Sequence, residues 1–234
     1  MALPKLETPV YTLTIPSTDE EVKYRPFLVK EQKRMIMAQE SEDEQQLLDA
    51  MKQLISDCTF NKVNADKCPL FDAEYIFLQI RSKSVGETIS VNITCPDDKK
   101  TVVPKEISIS DIKVSVFDDH SDEVQITDDI KMIFDYPLLS SFGNYQNAKQ
   151  SEMAFTVIKE CIKEISWGDK VYNKTDISDK ELSDFVDNLN GEQFERVMKF
   201  FNTMPKLRHV IEVENPKTKV KSEIPLEGLR SFLV

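Results

Sequence analysis

The stretch Val85–Ile112, "VGETISVNITCPDDKKTVVPKEISISDI", alternates apolar and polar residues on both sides of a polar turn that contains Pro96. A second stretch, Arg208–Leu229, "RHVIEVENPKTKVKSEIPLEGL", has the same order of features, with Pro216 in the turn. Alternation with a period of two, interrupted by a turn, is typical of a β-hairpin with one buried face. The sequence therefore predicts a hairpin at each of these two places.

An amphipathic helix is predicted before each hairpin. The two segments are "EYIFLQIRSKSV", starting at Glu74, and "EQFERVMKFFNTMP", starting at Glu192, and each carries a glutamate and aromatic residues. Because the same order of elements occurs twice, we predict an α+β fold with two approximately repeated helix-plus-β-hairpin modules. The second module is longer, since Ser178 and Glu181 have capping-box spacing and predict an extra helix over 179–189.

The segment Asp118–Glu123, "DDHSDE", is the best candidate for a linker, because it is acidic and lacks bulky apolar residues. It divides the chain into a first α+β module over 1–117, an acidic linker over 118–123, and a second module over 124–234. The second module is expected to end in its β-hairpin and an apolar tail.

Periodicity and turn signals predict further elements along the chain. They are a hairpin formed by Val10–Ile15 and Glu21–Val29, helices over Lys30–Gln39 and Phe71–Ser82, a helix started by a Ser41–Glu44 capping box, a strand over Val124–Phe134, a helix over Ser151–Ile165, and a small hairpin turning at Gly168-Asp169.

Composition excludes several classes of function. With 40% hydrophobic and 30% charged residues among 234, the chain has the make-up of a globular protein. Its net charge of −11 would repel nucleic acid and anionic membranes, so neither is an expected partner. No apolar run reaches the ~18–20 residues that cross a bilayer, and the first residues do not resemble a signal peptide. We therefore expect a protein made in the cytoplasm.

No residue pattern indicates catalysis, and no cofactor is expected. His120 and His209 do not occur in a recognisable nucleophile–base motif, and no phosphate-binding loop or zinc-protease string is present. The alternative is a small zinc-stapled binding module or a metal-dependent enzyme that uses Cys58, Cys68 and Cys95. That alternative needs a fourth ligand, because structural zinc is four-coordinate and no C-x-x-C knuckle occurs. Free thiols are the default expectation.

Three places are candidates for contact with a partner protein. The N-terminal segment "LPKLETPVYTL" either docks on its own domain or adds a strand to a partner. In the last segment, Leu226, Leu229, Phe232 and Leu233 have spacings that match one helical face. This tail either docks on its own domain or fills a groove on a neighbouring subunit. Trp167 and Tyr172, beside the predicted turn, either staple the local hairpin or form an interface hot spot, since aromatic residues dominate hot spots.

Four strings carry a resemblance to a known family. They are "VKYRPFLVKEQKRMIMAQES", "PLFDAEYIFLQIRSKSVGE", "NITCPDD" and "FFNTMPKLRHVIEVENPKTKVKSEIPLEGLRSF". With them the chain resembles the baseplate proteins of T-even-type contractile-tailed phages, in the group of baseplate hub subunits and hub assembly chaperones. The resemblance runs from about Leu13 to Phe232.

The resemblance implies a non-enzymatic phage protein that acts in assembly of the tail baseplate hub in the host cytoplasm. Its partners would be other hub proteins, with the tape-measure protein a candidate. A transient chaperone and a permanent virion subunit both fit, and the acidic balance favours the chaperone. The matching motifs, Arg25-Pro26-Phe27, Ser84-Val85-Gly86 and Leu226-Glu227-Gly228-Leu229, are expected to be structural, with Gly86 at a turn that needs positive φ.

Overall fold

A computed structural model describes residues 6–141, 150–228 and 231, without the side chains of residues 44 and 150–152. Across these residues, six α-helices accompany eleven strands in small antiparallel sheets. The predicted α+β class is confirmed.

The chain forms two compact units. One takes the chain up to Ser115 and resumes at Lys206, and the other runs Val116–Pro205. This division differs from the predicted modules 1–117 and 124–234, because the C-terminal hairpin groups with the N-terminal part of the chain. The physical cause is a three-residue strand, Lys113–Ser115, which pairs with the first strand of that hairpin. So short a strand has no readable alternation, and the sequence did not predict it.

The first unit contains three helices and seven strands. They are β1 Tyr11–Thr14, β2 Glu21–Tyr24, α1 Val29–Glu40, α2 Glu44–Cys58, α3 Leu70–Ser84, β3 Thr88–Thr94, β4 Val102–Ser108, β5 Lys113–Ser115, β10 Lys206–Glu214 and β11 Lys221–Glu227. β1 pairs with β2 and β3 with β4, while β11, β10 and β5 form a three-stranded sheet in that order. α3 is central to the core, since Ala73, Ile76, Leu78 and Ile80 are all 0% exposed.

The three hairpins described in this unit share one type of turn. In each, a residue before a proline accepts a backbone hydrogen bond from the residue four positions on, and that residue has positive φ. The pairs are Ile15 and Asp19, Cys95 and Lys99, and Asn215 and Lys219. Proline presets φ for the start of such a turn. The turn accounts for part of the likeness between the two hairpin stretches, but the repeated modules are not confirmed.

The second unit is one antiparallel sheet with three helices. Its elements are β6 Glu123–Gln125, β7 Ile130–Phe134, α4 Gln150–Cys161, β8 Ile162–Trp167, β9 Lys170–Asn173, α5 Asp179–Asp187 and α6 Gly191–Thr203. The strand order is β6-β7-β8-β9. Its core joins Met132 and Phe134 of the sheet to Ile158, Val197 and Phe200 of the helices.

Two predicted elements of this unit were wrong. The helix predicted over Ser151–Ile165 ends at Cys161, and Ile162–Trp167 is β8. Ile162 and Ile165 have helix-compatible spacing, but they are buried by pairing with Phe134 and Met132 of β7. The single strand predicted over Val124–Phe134 is a hairpin of β6 and β7, turning over residues 126–129.

Helix starts follow local hydrogen bonding. The capping box at Ser178 is confirmed, because the Glu181 N–H donates to Ser178 Oγ at 3.3 Å and the Ser178 N–H donates to Glu181 Oε2 at 3.0 Å. The capping box predicted at Ser41 is wrong. Asp43 caps α2 by accepting from the Gln45 and Gln46 N–H groups, while Ser41 Oγ donates to the Ala38 carbonyl at the end of α1. Gly86 has φ of 145°, as predicted.

Candidate protein-interaction site

The β8–β9 hairpin lies at one edge of the second unit's sheet. The two strands turn at Gly168, whose φ is 57° and whose N–H donates to the Asp129 carbonyl at 2.9 Å. In the strand order, β9 has a neighbour on one side only, and all four of its residues are exposed. An edge strand of this kind is a template for pairing with another chain.

Trp167 and Tyr172 lie on the same face of this hairpin. The register pairs Trp167 with Lys170 and Ile165 with Tyr172, so the two aromatic side chains are diagonal neighbours. This face also carries Met132 and Ile165, which are buried in the core. Nevertheless Trp167 is 57% and Tyr172 is 37% exposed. The structure therefore brings together the two aromatic residues that the sequence singled out.

Val171 adds an apolar side chain that sequence reasoning missed. It is 55% exposed and pairs with Ser166, which puts it on the opposite face of the hairpin from Trp167. The alternation of the short segment "KVYN" was the available signal. An exposed edge with an aromatic pair on one face and a valine on the other can accept an added strand or anchor a partner's apolar side chains.

The predicted tail site falls partly outside the described residues, since Leu229, Phe232 and Leu233 are not among them. Leu226 lies in β11, opposite His209, and is 9% exposed. The strand is held at its end by the Gly228 N–H, which donates to the Leu207 carbonyl at 3.0 Å. This placement favours a contact of Leu226 within its own unit.

The turns of the β3–β4 and β10–β11 hairpins are bonded to each other. The Asn215 side-chain amide donates to both carboxylate oxygens of Asp97 at 3.0 Å, and Thr218 Oγ1 donates to the same group at 2.5 Å. These hydrogen bonds hold the pKa of Asp97 below its ordinary value. Sequence reasoning predicted both turns but not this contact between them. Because Asn215 is 1% exposed, we assign these hydrogen bonds a structural role, which is to hold the two turns together.

The cysteines do not form a reactive or metal-binding centre in the structure described. All four are buried and free. Burial raises the pKa of Cys58 to about 11 and the pKa of Cys68 and Cys161 to about 12, so these thiols stay protonated at neutral pH. Among the described residues no group of three or more His, Cys, Asp or Glu is arranged to hold a metal ion. Within the described residues, Cys58, Cys68 and Cys95 are therefore not gathered into the ligand set that the zinc alternative needs.

The predicted acidic linker, residues 118–123, lies within the second unit, and His120 binds it to the rest of that unit. One ring nitrogen lies 3.0 Å from Thr203 Oγ1 and the other 3.1 Å from the Tyr136 hydroxyl. The ring also packs against Phe200, with centroids 5.3 Å apart. Burial lowers the pKa of His120, so the neutral imidazole is favoured. These contacts give the histidine a structural role.

Residues 8–234 match the family model described as T4 bacteriophage base plate protein, and the chain belongs to this family. No curated protein and no solved structure matches the chain. The resemblance to T-even-type baseplate proteins is thus confirmed at the level of the family, and membership implies contact with other phage baseplate proteins. In the part of the chain that is described, no helix is long and apolar enough to cross a membrane.

Proposed function

We propose that this baseplate protein acts without catalysis in assembly of the tail baseplate hub, as a hub subunit or as a hub assembly chaperone in the host cytoplasm. The observation that carries the proposal is the exposed pair Trp167 and Tyr172 on an edge hairpin of a T4 baseplate family member. The partners are other hub proteins, with the tape-measure protein a candidate.

The edge hairpin suits this role on energetic grounds. Tryptophan and tyrosine present large apolar areas with few rotatable bonds, so burying them against a partner costs little conformational entropy. The backbone of β9 can add hydrogen bonds to an incoming strand, which would fix the register of the partner. In the tail, Leu229, Phe232 and Leu233 are proposed as a second contact, while Leu226, which is 9% exposed, packs within its own unit. The same capture assay tests this second contact.

Replacing Trp167 and Tyr172 together by alanine is expected to reduce capture of hub proteins about tenfold, because truncating an interface hot spot costs more than 1 kcal/mol. The measurement is quantitative mass spectrometry of proteins captured from infected cells by an N-terminally tagged chain. Val102→Ala is the control, since Val102 is an apolar residue that is 53% exposed and lies on β4.

Deleting residues 229–234 in the same assay separates the two contacts. If the deletion abolishes capture and the aromatic double variant does not, the tail is the contact and the edge hairpin is excluded. Thermal unfolding of each variant, followed by circular dichroism, has to match wild type for the comparison to hold.

The chaperone hypothesis and the subunit hypothesis predict different amounts of this protein in the finished phage particle. The net charge of −11 supports a chaperone that shields a basic or adhesive partner. We therefore expect the chain to be abundant in baseplate intermediates and depleted from washed phage particles, as measured by mass spectrometry against another baseplate protein. Stoichiometric amounts in washed particles would exclude the transient chaperone and leave the hub subunit.

A further inference from the structure

A groove runs along the helix hairpin formed by α1 and α2, which are joined by residues 41–43. Its volume is about 720 Å³. One wall is a stripe of α1 with the spacing i, i+3, i+4, i+7, formed by Lys30, Lys33, Arg34 and Met37. Between the helices, Ala38 and Ala50 are 7% and 4% exposed and leave room for a third backbone to approach.

The α1 wall gathers positive charge in a chain whose net charge is −11. Lys33 is exposed and forms no ion pair with any described residue. Lys30 Nζ lies 3.4 Å from Glu31, but that carboxylate is buried and already bound to Arg25. Arg34 pairs with Asp57 at 3.3 Å and keeps 46% of its side chain exposed. The opposite wall adds one carboxylate, Asp49 of α2, so the three cations outnumber the acidic side chains that line the groove and retain attraction for a negatively charged partner.

The same helix exposes aliphatic side chains next to these cations. Met37 is 60%, Ile36 is 47% and Val29 is 79% exposed. Scattered exposed aliphatic residues are ordinary, but here they occur on a helix whose buried residues are only Glu31 and Ala38. Methionine is flexible and polarisable, and such residues recur at surfaces that bind helices.

We propose that this groove binds an acidic amphipathic helix of a partner protein. Its apolar side chains would contact Met37 and the alanines, and its carboxylates would pair with Lys30, Lys33 and Arg34. The α1 stripe spans about 10 Å at ~1.5 Å per residue, which corresponds to about two turns of the bound helix. This recognition mode places an amphipathic helix in a groove through anchors at i, i+3, i+4 and i+7.

The chemistry of the groove favours a helix over nucleic acid. A nucleic-acid backbone extends beyond the three cations and meets the negative field of the remaining chain, whereas a short acidic helix remains close to the cations. At physiological ionic strength, charges farther than about 8 Å are largely screened, so the local cations dominate for a small ligand. Aliphatic groups such as Met37 add nothing for phosphates but are buried by a helix. This inference does not depend on the edge hairpin.

The first test uses a synthetic helix-forming peptide of about 18 residues, with leucines on one face and glutamates beside them, titrated into the full chain. The scrambled peptide of the same composition and the peptide with lysines for glutamates are expected to bind at least about tenfold more weakly. Lys33→Glu is expected to lower affinity about tenfold. Lys23→Glu, which makes the same charge change at an exposed position of β2, leaves affinity unchanged.

The second test places a photo-crosslinking amino acid at position 37 in infected cells and maps the crosslinked peptide. Crosslinking to an acidic amphipathic helix of another baseplate protein supports the proposal. A crosslink to a second copy of this chain overturns it, as does equal binding of the scrambled peptide or Lys33-dependent binding of a single-stranded oligonucleotide. Trp167-dependent capture tests the proposed function separately, so the two failures are distinguishable.

Discussion

Replacing Phe200 by alanine is expected to lower the free energy of unfolding of the unit Val116–Pro205 by about 3–5 kcal/mol, the usual cost of truncating a buried phenylalanine. Phe200 is 2% exposed, and its ring stacks on Phe134 with centroids 5.0 Å apart and meets Phe201 edge-on at 4.9 Å. His120 also packs on this ring. The variant therefore leaves a cavity lined by rings that cannot all move inward.

Trp167, the only tryptophan of the chain, lies in the same unit and reports its unfolding in denaturant by fluorescence. Phe155→Ala is the matched control. The ring centroids of Phe155 and Phe194 lie 5.4 Å apart, but Phe155 is 39% exposed. Its truncation is therefore expected to cost about 1 kcal/mol of unfolding free energy. Equal losses of unfolding free energy for the two variants would show that the ring cluster of Phe134, Phe200 and Phe201 does not stabilise this unit more than a half-exposed ring pair does.

Most of the correct predictions about the fold depended on interactions between residues that are close in sequence. The hairpin turns at Pro96 and Pro216, the capping box at Ser178 and the positive φ of Gly86 all depend on a few neighbouring residues. The pairing of β5 with β10 was not predictable, because it joins Lys113–Ser115 to residues about ninety positions away. Such pairing is decided by tertiary contacts that a short strand does not announce in its own pattern.

The same contrast applies to the candidate site. Trp167 and Tyr172 could be selected from the sequence because both flank the turn at Gly168-Asp169. Their common face and exposure depend on the register of β8 against β7 and β9, and the helical prediction over Ser151–Ile165 concealed β8 altogether. The α1–α2 groove could not be predicted from the sequence for another reason. Its cations lie on a helix that, read alone, has an ordinary solvated face.

Replacing Glu31 by alanine is expected to cost the first unit about 3 kcal/mol, because it leaves a largely buried guanidinium without its carboxylate. Glu31 is 1% exposed and accepts from Arg25 Nη2 at 3.0 Å and from the Leu28 N–H at 2.7 Å. The Arg25 side chain, 13% exposed, also bonds to the Pro26 carbonyl at 3.0 Å. The ion pair thus fixes the start of α1 against the end of β2.

The pH dependence of this effect has a definite sign. Burial alone would raise the pKa of Glu31, but the hydrogen bonds from Arg25 and Leu28 outweigh it, and the pKa lies below its ordinary value of 4.5. A carboxylate with a depressed folded pKa stabilises fully above its unfolded pKa and loses this contribution as pH falls through the folded value. The difference in Tm between wild type and Glu31→Ala should therefore be constant near neutral pH and shrink below about pH 4.

Two further variants distinguish the effect of the unpaired Arg25 charge from the effect of the hydrogen bond at the start of α1. Glu31→Gln retains an oxygen that can accept from the Leu28 N–H, so it should recover part of the loss. Replacing Arg25 and Glu31 together by methionine and leucine removes both charges and should be less harmful than Glu31→Ala. Glu40→Ala, at an exposed position on the same helix, is the control and should change Tm little. If the apolar pair is as unstable as Glu31→Ala, the unpaired charge of Arg25 is not the cause of the loss.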